Sequence, residues 1–261
     1  MRLRLSGQPN KTVGIIEIAH LHHRFADGTL GLDDVTLAFN EGELTVIAGA
    51  NGSGKTTLLR HLNGLLLAET GTVTVCGKSV KEDPMSARQQ VGMVFQDADS
   101  QIVGETVYDD AAFGPENLSL ERQQIEQRVN QALKAVGLSG FENKMPHHLS
   151  GGEKRRLAIA GVLAMAPRVL LMDEPFSNLD YPATCRVLEQ ILDLHQNGHT
   201  IIITTHDLEK IVAYAQRLVV MANGRVVKDG LPDAVIVGIE RHGIRQPCSV
   251  QLGQGIRPWV N

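Results

Sequence analysis

The stretch with the clearest chemical character is Gly49-Ala50-Asn51-Gly52-Ser53-Gly54-Lys55-Thr56-Thr57. Its spacing of glycines before Lys and Thr matches the phosphate-binding pattern G-x-x-x-x-G-K-[ST]. The glycines let the backbone curl so that N–H groups point at phosphate oxygens, and a helix start adds about half a positive charge. In this pattern Lys55 reaches the outer phosphates and Thr56 offers its hydroxyl to Mg²⁺. The alternative interpretation is a chance glycine-rich turn.

Two acidic residues follow a run of four apolar residues, Val169-Leu170-Leu171-Met172. Carboxylates at the carboxyl end of a parallel strand face the crevice in which α/β proteins bind ligands. Asp173 therefore suits a Mg²⁺ site through a bound water, and Glu174 suits the orientation or activation of an attacking water. Without the phosphate loop, two adjacent acids after a strand would indicate only a solvated turn.

A second helix start is predicted at Leu149–Glu153, before a helix over Lys154–Ala166. Ser150 can cap this helix, and Gly151 and Gly152 allow another backbone to approach closely. The helix start is an anion site of the same physical type as the first. Because one helix start serves one phosphate chain, this one suggests a nucleotide held by another subunit. The alternative is a capped helix with no ligand.

Two further candidates are single side chains. His206 follows the predicted strand Thr200–Thr204 and precedes a predicted helix over Leu208–Ala215, which places it on the same sheet edge as Asp173. It can hydrogen-bond a terminal phosphate or be purely structural. Phe25 precedes an Asp27-Gly28 turn and either stacks on an adenine or belongs to the core.

Histidines also occur in two groups, one of three residues and one of two. Neither group has a Cys or carboxylate that would complete a metal site, so both are predicted to be solvated surface. The groups are His20, His22 and His23, and His147 and His148.

The elements that must position these groups alternate between strands and helices. Leu44–Ala48 is a short apolar run that predicts a buried strand entering the phosphate loop, and leucines recur at helical spacing after Lys55. The residues before this strand predict a small antiparallel sheet, and residues 97–165 a helical insertion. The pattern as a whole predicts an α/β fold with a largely parallel sheet, followed by a tail without an assigned role from residue 236 to residue 261.

Composition narrows the function further. The chain has 261 residues, 43% of them hydrophobic and 21% charged, with a formal net charge of −4. A negative balance gives no electrostatic reason to expect a nucleic-acid partner. Met1–Lys11 lacks the apolar region of a signal peptide, and no apolar run is long enough to span a bilayer, so we expect any membrane role to depend on a partner.

Read together, these motifs resemble the ATP-binding cassette (ABC) transport ATPases over about residues 14–235. The phosphate loop, a Q-loop glutamine at Gln96, the signature Leu149–Glu153, the Walker B strand Val169–Glu174, a D-loop at Ser177–Asp180 and a switch histidine at His206 follow in that family's order. Two stretches, Phe95–Gln101 with Ala112–Pro115 and Lys154–Met165, are similar to the energy-coupling factor and cobalt/nickel importer ATPases.

The resemblance implies a P-loop NTPase fold in one ATPase domain, residues 14–235, with an N-terminal antiparallel β subdomain and an inserted α-helical subdomain at 97–165. It implies a head-to-tail dimer, formed by two copies or with a related ATPase, in which ATP and Mg²⁺ lie between the phosphate loop of one subunit and Ser150–Gly152 of the other. Phe25 would stack on adenine, and Gln96 would approach the Mg²⁺. The helical insertion, with Gln96 and Gln101, would transmit closure to a membrane subunit.

The function that the resemblance implies is the ATPase of a vitamin or transition-metal importer on the cytoplasmic face of the membrane. Its partners would be an integral coupling subunit and a substrate-binding membrane component. A DNA-repair cassette ATPase would carry long coiled coils, and the stretch between Lys55 and Ser150 is too short for them. A translation-associated ATPase would carry two cassettes. A regulatory module without turnover would not be expected to keep both Glu174 and His206.

Overall fold

The computed structural model describes residues 14–260, so the expectation for Met1–Lys11 lies outside the described residues. The strands are β1 (Ile16–Arg24), β2 (Leu30–Phe39), β3 (Leu44–Ala48), β4 (Thr70–Val75), β5 (Lys78–Ser79), β6 (Val91–Val94), β7 (Val169–Asp173), β8 (Thr200–Thr205), β9 (Arg217–Ala222) and β10 (Arg225–Gly230). The α-helices are α1 (Lys55–Leu62), α2 (Pro84–Gln90), α3 (Val107–Asn117), α4 (Arg122–Ala135), α5 (Gly151–Ala164), α6 (Tyr181–Gln196), α7 (Pro232–Val235) and α8 (Cys248–Gln251). Short 3₁₀ turns lie at Pro146–His148, Val212–Tyr214 and Ile239–His242.

The central sheet has six strands in the order β10-β9-β3-β8-β7-β6. All of its neighbouring pairs are parallel except β10 with β9. Every residue of β3, β7 and β8 is buried, as expected for parallel strands covered on both faces. Since these strands run in one direction, their carboxyl ends all reach one edge of the sheet. The prediction of a mostly parallel core sheet is confirmed.

A second, four-stranded sheet has the order β2-β1-β4-β5 and only antiparallel pairs. It approaches the phosphate loop closely, because a Cβ placed on Gly54 would lie 2.6 Å from the carbonyl oxygen of Gly31 in β2. The two antiparallel strands predicted before the loop are therefore present, whereas β4 and β5, which complete this sheet, follow α1 in the chain.

Helices α3, α4 and α5 pack on one another between β6 and β7 in the chain, where the helical insertion was expected. Arg156 of α5 is buried and donates to the carbonyl oxygens of Val136 and Gly137, just beyond the end of α4. These bonds satisfy acceptors that a helix end leaves open. They also fix the direction in which α5 presents its first turn.

The helix predicted over Leu208–Ala215 is wrong. Apolar residues do recur at helical spacing there, but the Thr205 hydroxyl accepts from the Asp207 N–H, and an Asp207 carboxylate oxygen accepts from the Glu209 N–H. Such local side-chain bonds compete with helical ones. Only a 3₁₀ turn at Val212–Tyr214 forms, so the chain after His206 runs as successive turns.

Over residues 14–260, we find no helix that combines the length and the apolar composition needed to cross a bilayer.

Candidate functional site

The phosphate loop connects β3 to α1 at the carboxyl edge of the central sheet. Gly52 and Gly54 have φ angles of 78° and 100°, in the left-handed region that favours glycine. A Cβ placed on Gly49 would lie 2.6 Å from the Met221 carbonyl oxygen, whereas one on Gly52 would meet nothing within 4 Å. The loop is thus packed against β9 on one side and open on the other, the arrangement that a phosphate cradle requires.

Lys55 is the first residue of α1 and is 6% exposed. Its ammonium donates to the carbonyl oxygens of Gly49 at 2.7 Å and Ala50 at 3.2 Å, and it lies 3.7 Å from Glu174 Oε1. Burial lowers the pKa of Lys55, while the charges of Glu174 and Asp173 oppose this shift. The ammonium is therefore held inside the loop, at the place where an anion would compete for its donors.

Asp173 ends β7 and is 3% exposed. Its Oδ2 accepts from the Thr56 hydroxyl at 2.7 Å and its Oδ1 from the Thr204 hydroxyl at 2.5 Å. A hydroxyl and a carboxylate so close together form the oxygen-only donor set that Mg²⁺ prefers. Thr56 and Asp173 therefore have oxygen groups that fit Mg²⁺, and Gln96, the third residue predicted for that site, lines the same cleft. The site itself stays a prediction. Thr204 was missed, although a threonine at the end of the apolar strand beside β7 was a usable signal.

Glu174 is 7% exposed and has a φ of 48°, which is rare for a residue with a side chain. Its N–H donates to the Thr204 carbonyl, and its Oε1 accepts from His206 Nδ1 at 2.9 Å. Strained backbone of this kind persists where the surrounding structure enforces it, often at functional sites. The result is a carboxylate held between an ammonium and an imidazole.

Phe25 is 39% exposed and forms one wall of the cleft above the loop. Its ring meets the edge of His23 at 4.7 Å between centroids, and His23 meets His61 of α1 at 4.8 Å. Both ring nitrogens of His23 are buried without a hydrogen-bond partner. The prediction that His23 is solvated surface is therefore wrong, because packing across β1 and α1 buries its ring.

Gln96 follows β6 and is exposed at the rim of the same cleft. Arg155 of α5 is 3% exposed and donates to the carbonyl oxygens of Phe95 and Gln96, each at 2.5 Å. The sequence analysis did not assign a role to Arg155. An arginine on a helix of mostly apolar residues could have indicated a buried, functional side chain. Gln101 instead bonds back to the Phe95 N–H and the Met93 carbonyl, at the end of β6.

The second predicted anion site, at Ser150–Gly152, begins α5. The Ser150 hydroxyl accepts from the Glu153 N–H, and Glu153 Oε2 accepts from the Ser150 N–H at 2.7 Å, which completes a capping box. The hydrogen bond from the Ser150 hydroxyl lowers the pKa of Glu153. Ser150 and Gly151 are exposed, whereas Gly152 packs against Ala183.

Within residues 14–260, most of the predicted site residues share one cleft of about 410 Å³, and the residues at the start of α5 do not line it. The predicted residues on its wall are Phe25, Asn51, Gly52, Ser53, Gly54, Lys55, Thr56, Thr57, Gln96, Asp173 and Glu174. His206 lines a neighbouring cleft with Glu174 and the D-loop residues Ser177 and Asn178. Within that described range, no cluster of three or more His, Cys, Asp or Glu residues could hold a metal.

Comparison with known proteins supports the same interpretation. A family model described as ABC transporter matches residues 32–177, more than half of the chain. The energy-coupling factor transporter ATP-binding protein EcfA of Methanocaldococcus jannaschii is 45% identical over 229 residues, which cover 87% of this chain and 82% of that protein. EcfA of Methanococcus maripaludis is 42% identical over 223 residues, 84% of this chain and 80% of that one.

A solved structure points the same way. The structure of cbiO1 from Clostridium perfringens, described as part of the ABC transporter complex cbiONQ, superposes with a TM-score of 0.79 at 37% identity. It covers 87% of this chain and 92% of the other. The resemblance to energy-coupling factor ATPases is thereby confirmed. The chain belongs to the ABC transporter family and is one of its ATPases.

Proposed function

We propose that this chain is the ATP-hydrolysing subunit of a membrane importer of the energy-coupling factor type, which takes up a transition-metal ion such as cobalt or nickel, or a vitamin. It acts at the cytoplasmic face of the membrane, held there by an integral coupling subunit that works with a substrate-binding component. The observation that carries the proposal is the convergence of Lys55, Asp173, Glu174 and Gln96 on one cleft, in a chain 45% identical to an energy-coupling factor ATPase.

ATP binding follows from the donors around the phosphate loop. The first N–H groups of α1 have no acceptor within the helix and carry the positive end of its dipole. Phosphate oxygens would replace the Gly49 and Ala50 carbonyls as acceptors for the Lys55 ammonium. The adenine would stack on Phe25, a contact of about 0.5–1.5 kcal/mol. Thr56 and Asp173 would hold Mg²⁺, with Gln96 at the rim, and the ion supplies charge neutralisation between the phosphates.

Hydrolysis is assigned to Glu174 and His206. In this scheme a water oxygen attacks the terminal phosphorus, the bond to the bridging oxygen breaks, and Glu174 takes the proton of the water. His206 donates to Glu174 through Nδ1, which fixes the carboxylate. Donation to the terminal phosphate through Nε2 as well requires the imidazolium form of His206, in which both ring nitrogens carry a proton. General bases of this kind contribute about 10²–10⁴-fold to a rate.

The catalytic unit is proposed to be a dimer, with a second copy or with a related ATPase. The start of α5 leaves Ser150 and Gly151 exposed but does not line the cleft of its own chain. The phosphates of an ATP bound to a neighbouring subunit are the ligand that would complete it. Because the terminal phosphate is contacted from both sides only in the closed dimer, hydrolysis would release the two subunits.

The membrane partner is proposed to dock in an apolar groove of about 290 Å³ beside the Q-loop. The groove runs between β6 and the helices α3 and α5, and its walls include Phe95, Gln101 and Phe113, which is 55% exposed. The groove is continuous with the segment that carries Gln96, so a helix of the coupling subunit bound there would respond to changes in the nucleotide cleft. Arg155, which ties that segment to α5, would transmit the movement.

The test is co-purification of the tagged chain from detergent-solubilised membranes of its source. We expect an integral membrane protein to be retained by the parent and lost with Phe113→Asp. Leu231→Asp is the matched control, since Leu231 is 71% exposed and does not line the groove. Retention of nucleic acid or ribosomes in place of a membrane protein would instead support the alternative, a soluble ABC ATPase not coupled to transport.

A further inference from the structure

The end of the chain reaches three segments of the ATPase site. We call residues 243–260 the C-terminal strap. At its start, a Cβ placed on Gly243 would lie 3.4 Å from the Cβ of Ala50 in the phosphate loop. Ile244 follows and is 2% exposed, so the strap begins as part of the core. The strap therefore starts against the phosphate loop.

The strap then pairs with the switch loop, which we define as residues 205–210 and which carries His206. Asp207 forms an isolated parallel β-bridge with Arg245. One turn further on, Glu209 Oε2 accepts from the N–H of Cys248 at 2.7 Å. The two switch-loop residues on either side of Leu208 are thus attached to the strap.

At its far end the strap reaches the first residue of α6, directly after the D-loop. Trp259 meets the ring of Tyr181 edge to face, with 5.2 Å between centroids. Tyr181 directly follows Asp180, whose carboxylate caps α6 by accepting from the Ala183 N–H. An aromatic pair of this geometry stabilises by about 0.5–1.5 kcal/mol beyond the area it buries. The strap therefore spans from the switch loop to the start of α6.

The switch loop needs such support, because the chain after His206 does not form a helix. The N–H groups of Asp207 and Glu209 donate to the Thr205 and Asp207 side chains, and those of Ile211 and Val212 both donate to the Leu208 carbonyl. A helix would fix His206 through its own backbone ladder, whereas these turns leave the loop dependent on contacts from elsewhere. The strap supplies them next to the cavity of about 520 Å³ that it shares with His206.

We propose that the C-terminal strap positions His206 for hydrolysis, with Glu209 and Trp259 as positioning residues. This inference rests on the proposed hydrolytic role of His206. ATP is held by the phosphate loop and Phe25, so loss of the strap contacts changes turnover and leaves nucleotide affinity nearly intact. Displacement of a catalytic group by about 1 Å can cost about 100-fold, and a loosened loop costs less than that.

The test uses full-length Glu209→Ala, Trp259→Ala and the double variant, with Glu209→Gln as the conservative replacement because its amide oxygen still accepts from Cys248. Glu240→Ala is the control, since that side chain is exposed in the same tail and makes no side-chain hydrogen bond within the described residues. We measure kcat, the ATP dissociation constant and, by mass spectrometry, deuterium uptake of the peptide covering residues 205–212.

Glu209→Ala is expected to lower kcat about tenfold with an unchanged dissociation constant, and Glu209→Gln to recover most of the rate. Uptake at residues 205–212 should rise in Glu209→Ala, rise less in Trp259→Ala, rise most in the double variant, and stay at the parent level in Glu209→Gln and Glu240→Ala. Uptake equal to that of Glu240→Ala would overturn the proposal, as would an unchanged kcat in the double variant. Deuterium uptake of residues 205–212 can be measured whether or not the protein hydrolyses ATP. A parent without ATPase activity would refute the proposed function, while the exchange result would still decide whether the strap holds the loop.

Discussion

The two helix starts that could bind phosphate differ in how completely this chain builds a site around them. At the phosphate loop, the Thr56 hydroxyl lies 2.7 Å from Asp173 and the Lys55 ammonium 3.7 Å from Glu174, so both pairs are built by one chain. At the start of α5, Ser150 is satisfied by Glu153 of its own capping box, and the turn faces solvent. The first is nearly complete within one chain, whereas the second is an exposed turn that, in the proposed dimer, the nucleotide of another subunit would complete. Substitutions at the first should therefore act within one chain, and those at the second only when chains meet.

The largest effect is expected for Glu174→Gln. The amide keeps the shape of the side chain but removes the base, so kcat should fall by about 10²–10⁴-fold while ATP binding persists. Steady-state phosphate release and equilibrium binding of ATP would measure the two quantities. Turnover near the parent rate would show that Glu174 does not have the role given to it.

Lys55→Met should act on binding within a single chain. Hydrogen bonds to charged groups contribute about 1.5–3 kcal/mol, so the ATP dissociation constant should rise about tenfold to a hundredfold. Calorimetric titration of the monomer measures it. A loss that appears only at protein concentrations that support dimers would contradict the view that this half-site is complete in one chain.

Gly151→Leu should act only between chains. A Cβ at Gly151 meets nothing within 4 Å, so the fold should keep its stability to within about 0.5 kcal/mol, while a side chain at this turn obstructs a neighbour's phosphates. ATPase activity should fall about tenfold, as when a positioned contact is lost. Gly152→Ala is the contrast, since its Cβ would lie 2.7 Å from Ala183 Cβ and should lower the unfolding temperature itself.

The smallest effect concerns His61, which is fully buried beside the phosphate loop and bonds to the Thr57 carbonyl at 2.8 Å. Burial lowers the pKa of His61, so the unfolded chain binds a proton near pH 6.5 before the folded chain does. Stability is thus full above that pH and falls on acidification, by at most about 1.4 kcal/mol per pH unit.

The measurement for His61 is thermal unfolding between pH 7.5 and 5.5. His61→Gln should flatten this dependence, whereas the exposed His147→Gln should not. If the unfolding temperature depends on pH equally in the parent and in His61→Gln, protonation of this histidine does not cause the loss of stability in acid.

The sequence was sufficient to predict the strands that lead into the candidate site. In each case an apolar run predicts a buried strand, and the residue at its end, Gly49, Asp173 or His206, predicts the chemistry. It was not sufficient for the order of strands, in which β3 lies between β8 and β9, since those contacts join residues far apart in the chain. The non-helical course after His206 depends on bonds from Thr205 and Asp207 side chains that periodicity does not detect.

Two further differences arise from packing between elements. His23 lies between half-buried His22 and exposed Arg24 in β1, and the approach of His61 in α1 helps to enclose its ring. Gln101 resembles a residue that faces a partner, yet its amide closes the end of β6. The roles of Phe25, Gln96 and Ser150 stay predictions, because they concern molecules that the chain meets rather than contacts within it.

The most direct test is the mass of Glu174→Gln in solution, by light scattering after size-exclusion chromatography. Blocked turnover should trap the closed state, so ATP with Mg²⁺ should convert monomer to dimer, and Gly151→Leu in the same background should prevent the conversion. A species that remains monomeric at saturating ATP, whether alone or mixed with a related ATPase, would contradict the account of two half-sites completed between subunits.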